Sequence, residues 1–131
     1  MIAWLKNKIK KKMKLKYFTL EEFDSPDVPG SGNFMKEDFL MALDKARDIA
    51  GIPFKINSGY RTMEHNATIG GVENSSHIAG LAADVHCTES RKRFIMIAAF
   101  IAAGFTRIGI GKTFIHVDLD KDKDPRVAWL Y

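Results

Sequence analysis

Hydrophobic residues along the chain follow two spacings, one typical of helices and one typical of strands. In two long segments the apolar side chains recur at every third or fourth position, and in several short segments they alternate with polar ones. Glycine, proline, serine and aspartate separate these segments. In chain order the pattern predicts a helix over 34–50, a strand over 53–57, a short helix reaching Ile69, a strand over 81–86, a long helix from Thr88 or Ser90 to Ala103, and two strands over 105–110 and 114–119.

Several residues mark the ends of these elements. Asn33 is predicted to cap the first helix and Gly51 to end it, while Thr62 is predicted to cap the short helix. Gly111 and Lys112 can form a hairpin turn between the last two predicted strands. Helices interspersed with hairpin-connected strands indicate an α+β domain, in which a small antiparallel sheet carries helices packed on one side.

The positive charge of the chain is concentrated at its N-terminus. The 131 residues carry a formal net charge of +4, but residues 1–16 contain seven lysines and no acidic residue. Residues 17–131 therefore hold 13 basic and 16 acidic residues, a net charge of −3. A nucleic-acid-binding protein would need a basic face on its folded part, so no nucleic-acid partner is expected. The chain is predicted to consist of a basic N-terminal segment, 1–16, and one domain, 17–131.

The N-terminal segment has an apolar pattern of its own. Ile2, Leu5, Ile9 and Met13 recur at helical spacing with lysines between them. This pattern predicts either a basic amphipathic helix that lies on an anionic membrane or wall surface, or a solvated lysine tail. No apolar run of the sequence is long enough to span a bilayer, and the order of charges differs from that of a signal peptide.

Two segments contain the residue types of a metal site. The segment Ser75–Asp84 places His77 and Asp84 seven residues apart, with a glycine and alanines between them. The segment Phe114–Asp118 adds His116 on a predicted strand. Two histidines and one aspartate, with a fourth position left for water, are the ligands expected of a catalytic zinc site. A structural zinc site would use mainly thiolates, and the chain has a single cysteine.

The strand predicted over 81–86 places Asp84 on the face opposite to its apolar residues. A carboxylate in so apolar a strand needs a compensating partner, because an unpaired buried charge is very costly. A zinc ion would be such a partner, and a salt bridge from Arg61 or Arg107 is the alternative.

The order Ser-x-His-x-x-Gly-x-Ala-x-Asp followed by a distant histidine resembles the zinc D-alanyl-D-alanine carboxypeptidase family. That family also contains dipeptidases and phage endolysins that cut the cross-link peptides of peptidoglycan. The resemblance extends over Phe18–Trp129 and includes Asn57–Thr62, which is similar to the compact, single-domain branch of the family. It implies a Zn²⁺ ion bound by His77, Asp84 and His116, with peptidoglycan peptides as the substrate.

The resemblance also indicates where a general base is expected. Many relatives have a glutamate three residues before the last histidine, but Thr113 occupies that position here. Asp118 shares a predicted strand face with His116 and is the candidate substitute for the base. Alternatively, Asp118 orients a ligand histidine through its ring N–H group. Glu73 and Glu64 are weaker candidates for the base.

Two further residues are associated with the substrate through the same resemblance. Arg61 can bind a substrate carboxylate with two parallel hydrogen bonds, or it can form a structural ion pair with Asp84. Ser75 can hydrogen-bond substrate near the metal, or it can cap the turn that holds His77. The other two histidines of the chain are predicted not to be ligands.

Together these features predict a monomeric, zinc-dependent peptidase that hydrolyses peptidoglycan stem or cross-link peptides, as a D,D-carboxypeptidase or an endopeptidase. The alternative is a binding module or virion structural module that retains the fold but has lost turnover, and the threonine at position 113 favours it. A peptidoglycan substrate would place the protein at the cell wall, in the periplasm or on a phage. Since the sequence shows no recognisable signal peptide, export would depend on another system.

Overall fold

The computed structural model of the protein describes residues 14–131. The amphipathic helix predicted from the apolar pattern of residues 2–13 lies outside the described residues and stays a prediction. Within residues 14–131, no helix combines the length and the apolar character that crossing a membrane requires.

Residues 14–131 contain two short 3-10 helices, three α-helices and five strands. In chain order they are the 3-10 helices Leu20–Phe23 and Ser31–Phe34, then α1 (Glu37–Ala50), β1 (Ile56–Ser58), α2 (Met63–Thr68), β2 (Ala82–His86), α3 (Ser90–Ala102), β3 (Arg107–Ile110), β4 (Phe114–Asp118) and β5 (Val127–Leu130).

The five strands form one sheet in the order β1-β2-β4-β3-β5. The first four strands of that order pair antiparallel, while β5 pairs parallel with β3 at one edge. The predicted α+β fold with a small antiparallel sheet is therefore confirmed, with one parallel pair added. The sequence pattern does not predict β5, because its four residues follow a polar turn and its partner strand is distant in sequence.

One face of the sheet carries the hydrophobic core, and the other carries the polar residues of the two central strands. Ala83 and Val85 on β2, and Ile115 and Val117 on β4, are fully buried in the core. Helices α1 and α3 pack on this face and contact each other, which confirms the predicted helices on one side. Because side chains alternate along a strand, the residues between these apolar positions point to the opposite face.

Helix α1 begins at Glu37, later than predicted, and Asn33 is not its N-cap. The N-cap is Lys36, whose backbone is extended. Its N–H group donates to the carbonyl oxygen of Gly80 at 2.9 Å, and a Cβ atom at Gly80 would lie 2.4 Å from the carbonyl oxygen of Phe34. This close contact with the loop before β2 keeps the preceding segment out of the helix.

Two other predicted helix ends agree with the structure. Thr62 caps α2, since its Oγ1 accepts a hydrogen bond from the N–H group of His65 at 3.0 Å. Gly51 ends α1 in a left-handed conformation with a φ of 67°. Helix α3 begins at Ser90, one of its two predicted start positions, and β1 begins at Ile56, later than predicted.

Candidate metal centre

Three side chains from different parts of the chain meet on the polar face of the sheet. Asp84 lies in the middle of β2, and His116 lies directly opposite it on β4. His77 lies in the loop that precedes β2 and is 3% exposed. Oδ1 of Asp84 is 3.0 Å from Nδ1 of His116 and 3.4 Å from Nε2 of His77. The structure therefore brings together the three predicted zinc ligands, with one donor atom from each lying within 4.8 Å of the others.

The ring nitrogen of His77 that faces away from Asp84 is hydrogen-bonded to the backbone. Nδ1 lies 2.8 Å from the carbonyl oxygen of Gly59, the residue that follows β1. An N–H group at Nδ1 donates to this carbonyl and leaves the lone pair of Nε2 facing Asp84. Gly59 can take this position because it lacks a side chain: a Cβ atom there would lie 2.7 Å from Cα of Phe23. This glycine thus fixes the tautomer of a predicted ligand.

The outer ring nitrogen of His116 is held by a carboxylate. Nε2 lies 2.7 Å from Oδ2 of Asp118, so an N–H group at Nε2 donates to Asp118 and the lone pair of Nδ1 faces Asp84. Oδ1 of Asp118 accepts hydrogen bonds from Nε of Arg107 at 2.9 Å and from the backbone N–H group of Asp120 at 3.1 Å. Asp118 is 1% exposed, and both of its oxygens have hydrogen-bond partners.

Burial and hydrogen bonding shift the pKa values of the three residues, and the shifts of Asp84 and His77 favour the forms that bind a metal ion. Burial raises the pKa of Asp84, but the facing ring nitrogens of His116 and His77 outweigh it when they are protonated and leave the pKa well below its usual value. Burial lowers the pKa of His77, which favours the neutral imidazole that binds metals. Burial also lowers the pKa of His116, but the nearby carboxylates of Asp118 and Asp84 raise it overall, so a metal ion that binds at Nδ1 must displace a proton from this imidazole.

This donor set fits zinc. Two imidazole nitrogens and a carboxylate oxygen face one another, and each histidine is oriented by an acceptor on its far side. A pocket of about 370 Å³ opens at these residues, within the size range of ligand-binding pockets, and leaves room for a further ligand. Its wall includes the side chains of Arg61, Ser75, Asp118, Lys123, Trp129 and Tyr131.

The two predicted substrate-binding residues line this pocket and also have partners within the protein. Arg61 donates from Nε to Oγ of Ser58 at 3.1 Å and from Nη2 to Oδ2 of Asp84 at 3.4 Å. Oγ of Ser75 accepts a hydrogen bond from the N–H group of His77 at 3.2 Å. The ion pair and the turn cap that the sequence allowed as alternatives are both present. Contact of these two residues with substrate stays a prediction.

Several residues that shape the site are not predicted from the sequence in the roles that they have in the structure, and Arg107 is considered only as a partner for Asp84. Arg107 holds Asp118, and its guanidinium carbon Cζ lies 5.1 Å from the ring centroid of Trp129. Tyr131 lines the same pocket. The pairing of β3 with β4 and β5 brings these residues to the site, and no local motif marks them. The only signal in the sequence is the alternation of Trp129 and Tyr131 in the last segment.

The other residues considered for catalysis or metal binding lie away from the pocket. Thr113, Glu73 and Glu64 are exposed and do not line it. The remaining histidines, His65 and His86, are outside the cluster of metal-ligating groups found in the described part of the chain.

Comparison with models of known protein families identifies a match. A family model described as Peptidase M15 matches residues 16–118, which include the three clustered residues and Asp118. The matched segment ends before Trp129 and Tyr131. No curated protein matches the chain.

His77→Ala is expected to remove most of the zinc from the purified protein, because a buried imidazole that faces Asp84 and His116 is lost. Elemental analysis after dialysis measures the zinc-to-protein ratio, which should be about one for the unchanged chain. His86→Ala is the matched control, since His86 is exposed and outside the cluster, and it should keep its zinc. Full zinc content in His77→Ala would contradict the ligand assignment.

Proposed function

Because the chain belongs to the peptidase M15 family of zinc peptidases, we propose that it hydrolyses peptidoglycan stem or cross-link peptides. The observation that carries this proposal is the cluster of His77, Asp84 and His116 in an open pocket that also contains the Arg61 guanidinium. The cluster supplies the metal site that amide hydrolysis needs, and the guanidinium supplies recognition of a carboxylate. Peptidoglycan stem peptides offer both an amide bond and free carboxylates.

The residues of the chain have separate tasks in this reaction. When bound, zinc polarises the scissile carbonyl and makes water nucleophilic near neutral pH. His77, Asp84 and His116 would hold the ion. Gly59 and Asp118 keep the two imidazoles in the tautomer and orientation that metal binding requires. The two rings are 3% and 7% exposed, so most of each imidazole is shielded from bulk water.

The guanidinium of Arg61 is held by three hydrogen bonds within the described part of the chain and still has free N–H groups. Nε donates to Ser58, Nη1 donates to Asn66 at 3.3 Å, and Nη2 donates to Asp84. A guanidinium has five N–H groups, so these three hydrogen bonds leave two N–H groups for a ligand. A guanidinium that is already fixed loses little further freedom when it binds a carboxylate. We assign Arg61 to the carboxylate of the substrate.

The contacts of Asp118 support the orienting role over the role of general base. A general base must reach the water that attacks the substrate. Oδ2 of Asp118 is instead bonded to the outer nitrogen of His116, and Oδ1 is bonded to Arg107. Both oxygens are thus engaged on the side of the imidazole that faces away from Asp84. We propose that Asp118 orients His116 and fixes its tautomer.

Asp118→Asn is expected to weaken zinc binding by about 10–100-fold, the usual effect of losing an outer partner of a metal-bound histidine. Turnover at saturating zinc should recover to near that of the unchanged chain. Competition with a chelator measures the zinc affinity, and peptide turnover is then measured at saturating zinc. Asp122→Asn, which changes an exposed carboxylate nearby, is the matched control. A general base would give near-normal zinc affinity and a loss of about 10²–10⁴-fold in turnover that excess zinc does not restore.

Purified sacculi treated with the zinc-loaded protein are expected to release peptide fragments or free D-alanine, which mass spectrometry identifies. Asp84→Ala, which lacks the central carboxylate of the cluster, is the control and should release neither. The masses of the products identify the bond that is cut. Cleavage of other peptides with no action on sacculi would refute the peptidoglycan substrate while leaving the zinc peptidase assignment in place.

A soluble stem pentapeptide tests the role of Arg61 in the same assay. Each carboxylate of the peptide is replaced in turn by an amide, and KM is measured for the unchanged chain and for Arg61→Gln. If Arg61 binds one carboxylate, amidation of that group should raise KM in the unchanged chain and have little further effect in the variant. Equal effects of every amidation in both proteins would exclude Arg61 from carboxylate recognition.

The threonine at position 113 favours a second candidate function. In this alternative the protein is a binding module or virion structural module that retains the peptidase fold without turnover. Such a module would bind zinc and peptidoglycan and release no fragments from sacculi. The fragment assay therefore separates the two functions directly.

We further propose that the N-terminal lysines direct the domain to an anionic membrane or wall surface. Residues 1–13 contain five of the seven lysines of the basic segment, so their deletion changes the net charge from +4 to −1. The deletion should end at residue 13, because Leu15 packs against the core and the backbone N–H group of Lys16 donates to Asp44 at 3.0 Å.

Deletion of residues 1–13 is expected to weaken binding to anionic lipid vesicles by more than about 100-fold, since each lysine near such a surface contributes about 1 kcal/mol. Co-sedimentation measures the binding, and turnover of the soluble pentapeptide should not change. Replacing the five lysines by glutamine keeps the apolar residues and shows how much of the effect is due to charge. Vesicle binding that survives the deletion would contradict the proposal.

A further inference from the structure

Aromatic side chains at the last strand line one side of the pocket beside the candidate metal centre. Side chains alternate along β5, so Trp129 and Tyr131 share one side while Leu130 points away from it. The ladder continues past the strand, since the N–H group of Tyr131 donates to the carbonyl oxygen of Ile110 at 3.1 Å. The ring of Tyr131 also packs against Phe114, with centroids 4.9 Å apart. All three aromatic rings line the pocket that contains the metal cluster.

A glycine on the neighbouring strand allows the rings to lie against the sheet. Gly109 on β3 is the register partner of His116 on β4. A Cβ atom at Gly109 would lie 2.6 Å from Cε2 of Tyr131 and 2.7 Å from Cε2 of Trp129. Both rings therefore occupy the space over Gly109, and the centroid of Trp129 is 5.5 Å from that of His116.

The two rings have different surroundings. Trp129 is partly buried and lies against the Arg107 guanidinium, which holds Asp118. Tyr131 is 67% exposed although it contacts Phe114 and lies beside Trp129, with centroids 6.2 Å apart. Trp129 thus supports the residues behind His116, whereas the open face of the Tyr131 ring remains available to a ligand.

We propose that the ring of Tyr131 contacts the substrate and determines which peptides bind productively at the metal centre. The inference rests on the proposed peptidase function and adds a specificity residue to it. An aromatic face in a pocket that also holds the Arg61 guanidinium suits a peptide with an aliphatic side chain near a carboxylate. Tyr131 lies outside residues 16–118, the segment that the family model matches.

The test uses the full, zinc-loaded chain and the soluble stem pentapeptide. Tyr131→Ala should raise KM by about 10-fold with little change in kcat, because a contact made equally in the ground state and the transition state affects binding alone. Tyr131→Phe keeps the ring, so its KM should lie close to that of the unchanged chain. Leu130→Ala is the matched control, since Leu130 is 80% exposed on the opposite side of the strand. Zinc content and melting temperature are measured for every variant.

Calorimetric binding of the pentapeptide gives a second readout that does not depend on turnover. Weaker binding by Tyr131→Ala, at normal zinc content, supports the proposal even if no substrate is cleaved, in which case only the proposed peptidase function fails. Equal peptide binding by the unchanged chain and Tyr131→Ala, or no binding by the unchanged chain, overturns the proposal. If Tyr131→Phe loses as much peptide affinity as Tyr131→Ala, the proposal is also overturned, because the hydroxyl group and not the ring would then account for peptide binding.

Discussion

The antiparallel pairing of β2 with β4 determines the hydrophobic core and the metal centre together. In this register Asp84 lies opposite His116 on one face, while fully buried residues such as Val85 and Ile115 lie opposite each other on the other face. A slip of one residue would turn every side chain of a strand to the wrong face. It would place carboxylate and imidazole in the core and expose apolar side chains to the pocket. The burial that stabilises the fold therefore also fixes the position of the candidate metal ligands.

The polar face of the sheet holds charged groups that are almost fully buried, and their mutual pairing makes this tolerable. Asp118 is bonded to both His116 and Arg107, while Asp84 forms an ion pair with Arg61 and lies within 3.4 Å of a ring nitrogen of each histidine. Removing one member of such a buried pair typically costs about 3–5 kcal/mol, because the remaining charge loses its partner. Within residues 14–131 every buried side-chain nitrogen and oxygen has a hydrogen-bond partner. These contacts hold the side chains of the candidate metal ligands in place on the polar face of the sheet.

The parts of the site that the sequence predicts are those encoded locally. His77 and Asp84 occur in one short motif, and strand alternation alone places Asp84 and His116 on polar faces. Arg107 could be named only as a partner for Asp84, and the structure pairs it with Asp118, because register and not spacing decides which acid it meets. The start of α1 was misplaced for a related reason. The contact of Gly80 with the segment before that helix joins residues that are distant in sequence.

The edge strand β5 contributes side chains to the pocket but takes no part in the pairing of β2 with β4. It pairs with β3 alone, so its side chains can change without moving the pairing of β2 with β4. The two aromatic residues on it are nevertheless not equivalent. Trp129 is connected to His116 through Arg107 and Asp118, so a change at Trp129 would reach the metal ligands. Tyr131 lies beside Trp129 and against Phe114, but most of it is exposed. In the role proposed for it, substrate choice can vary at this ring while the metal ligands stay in place.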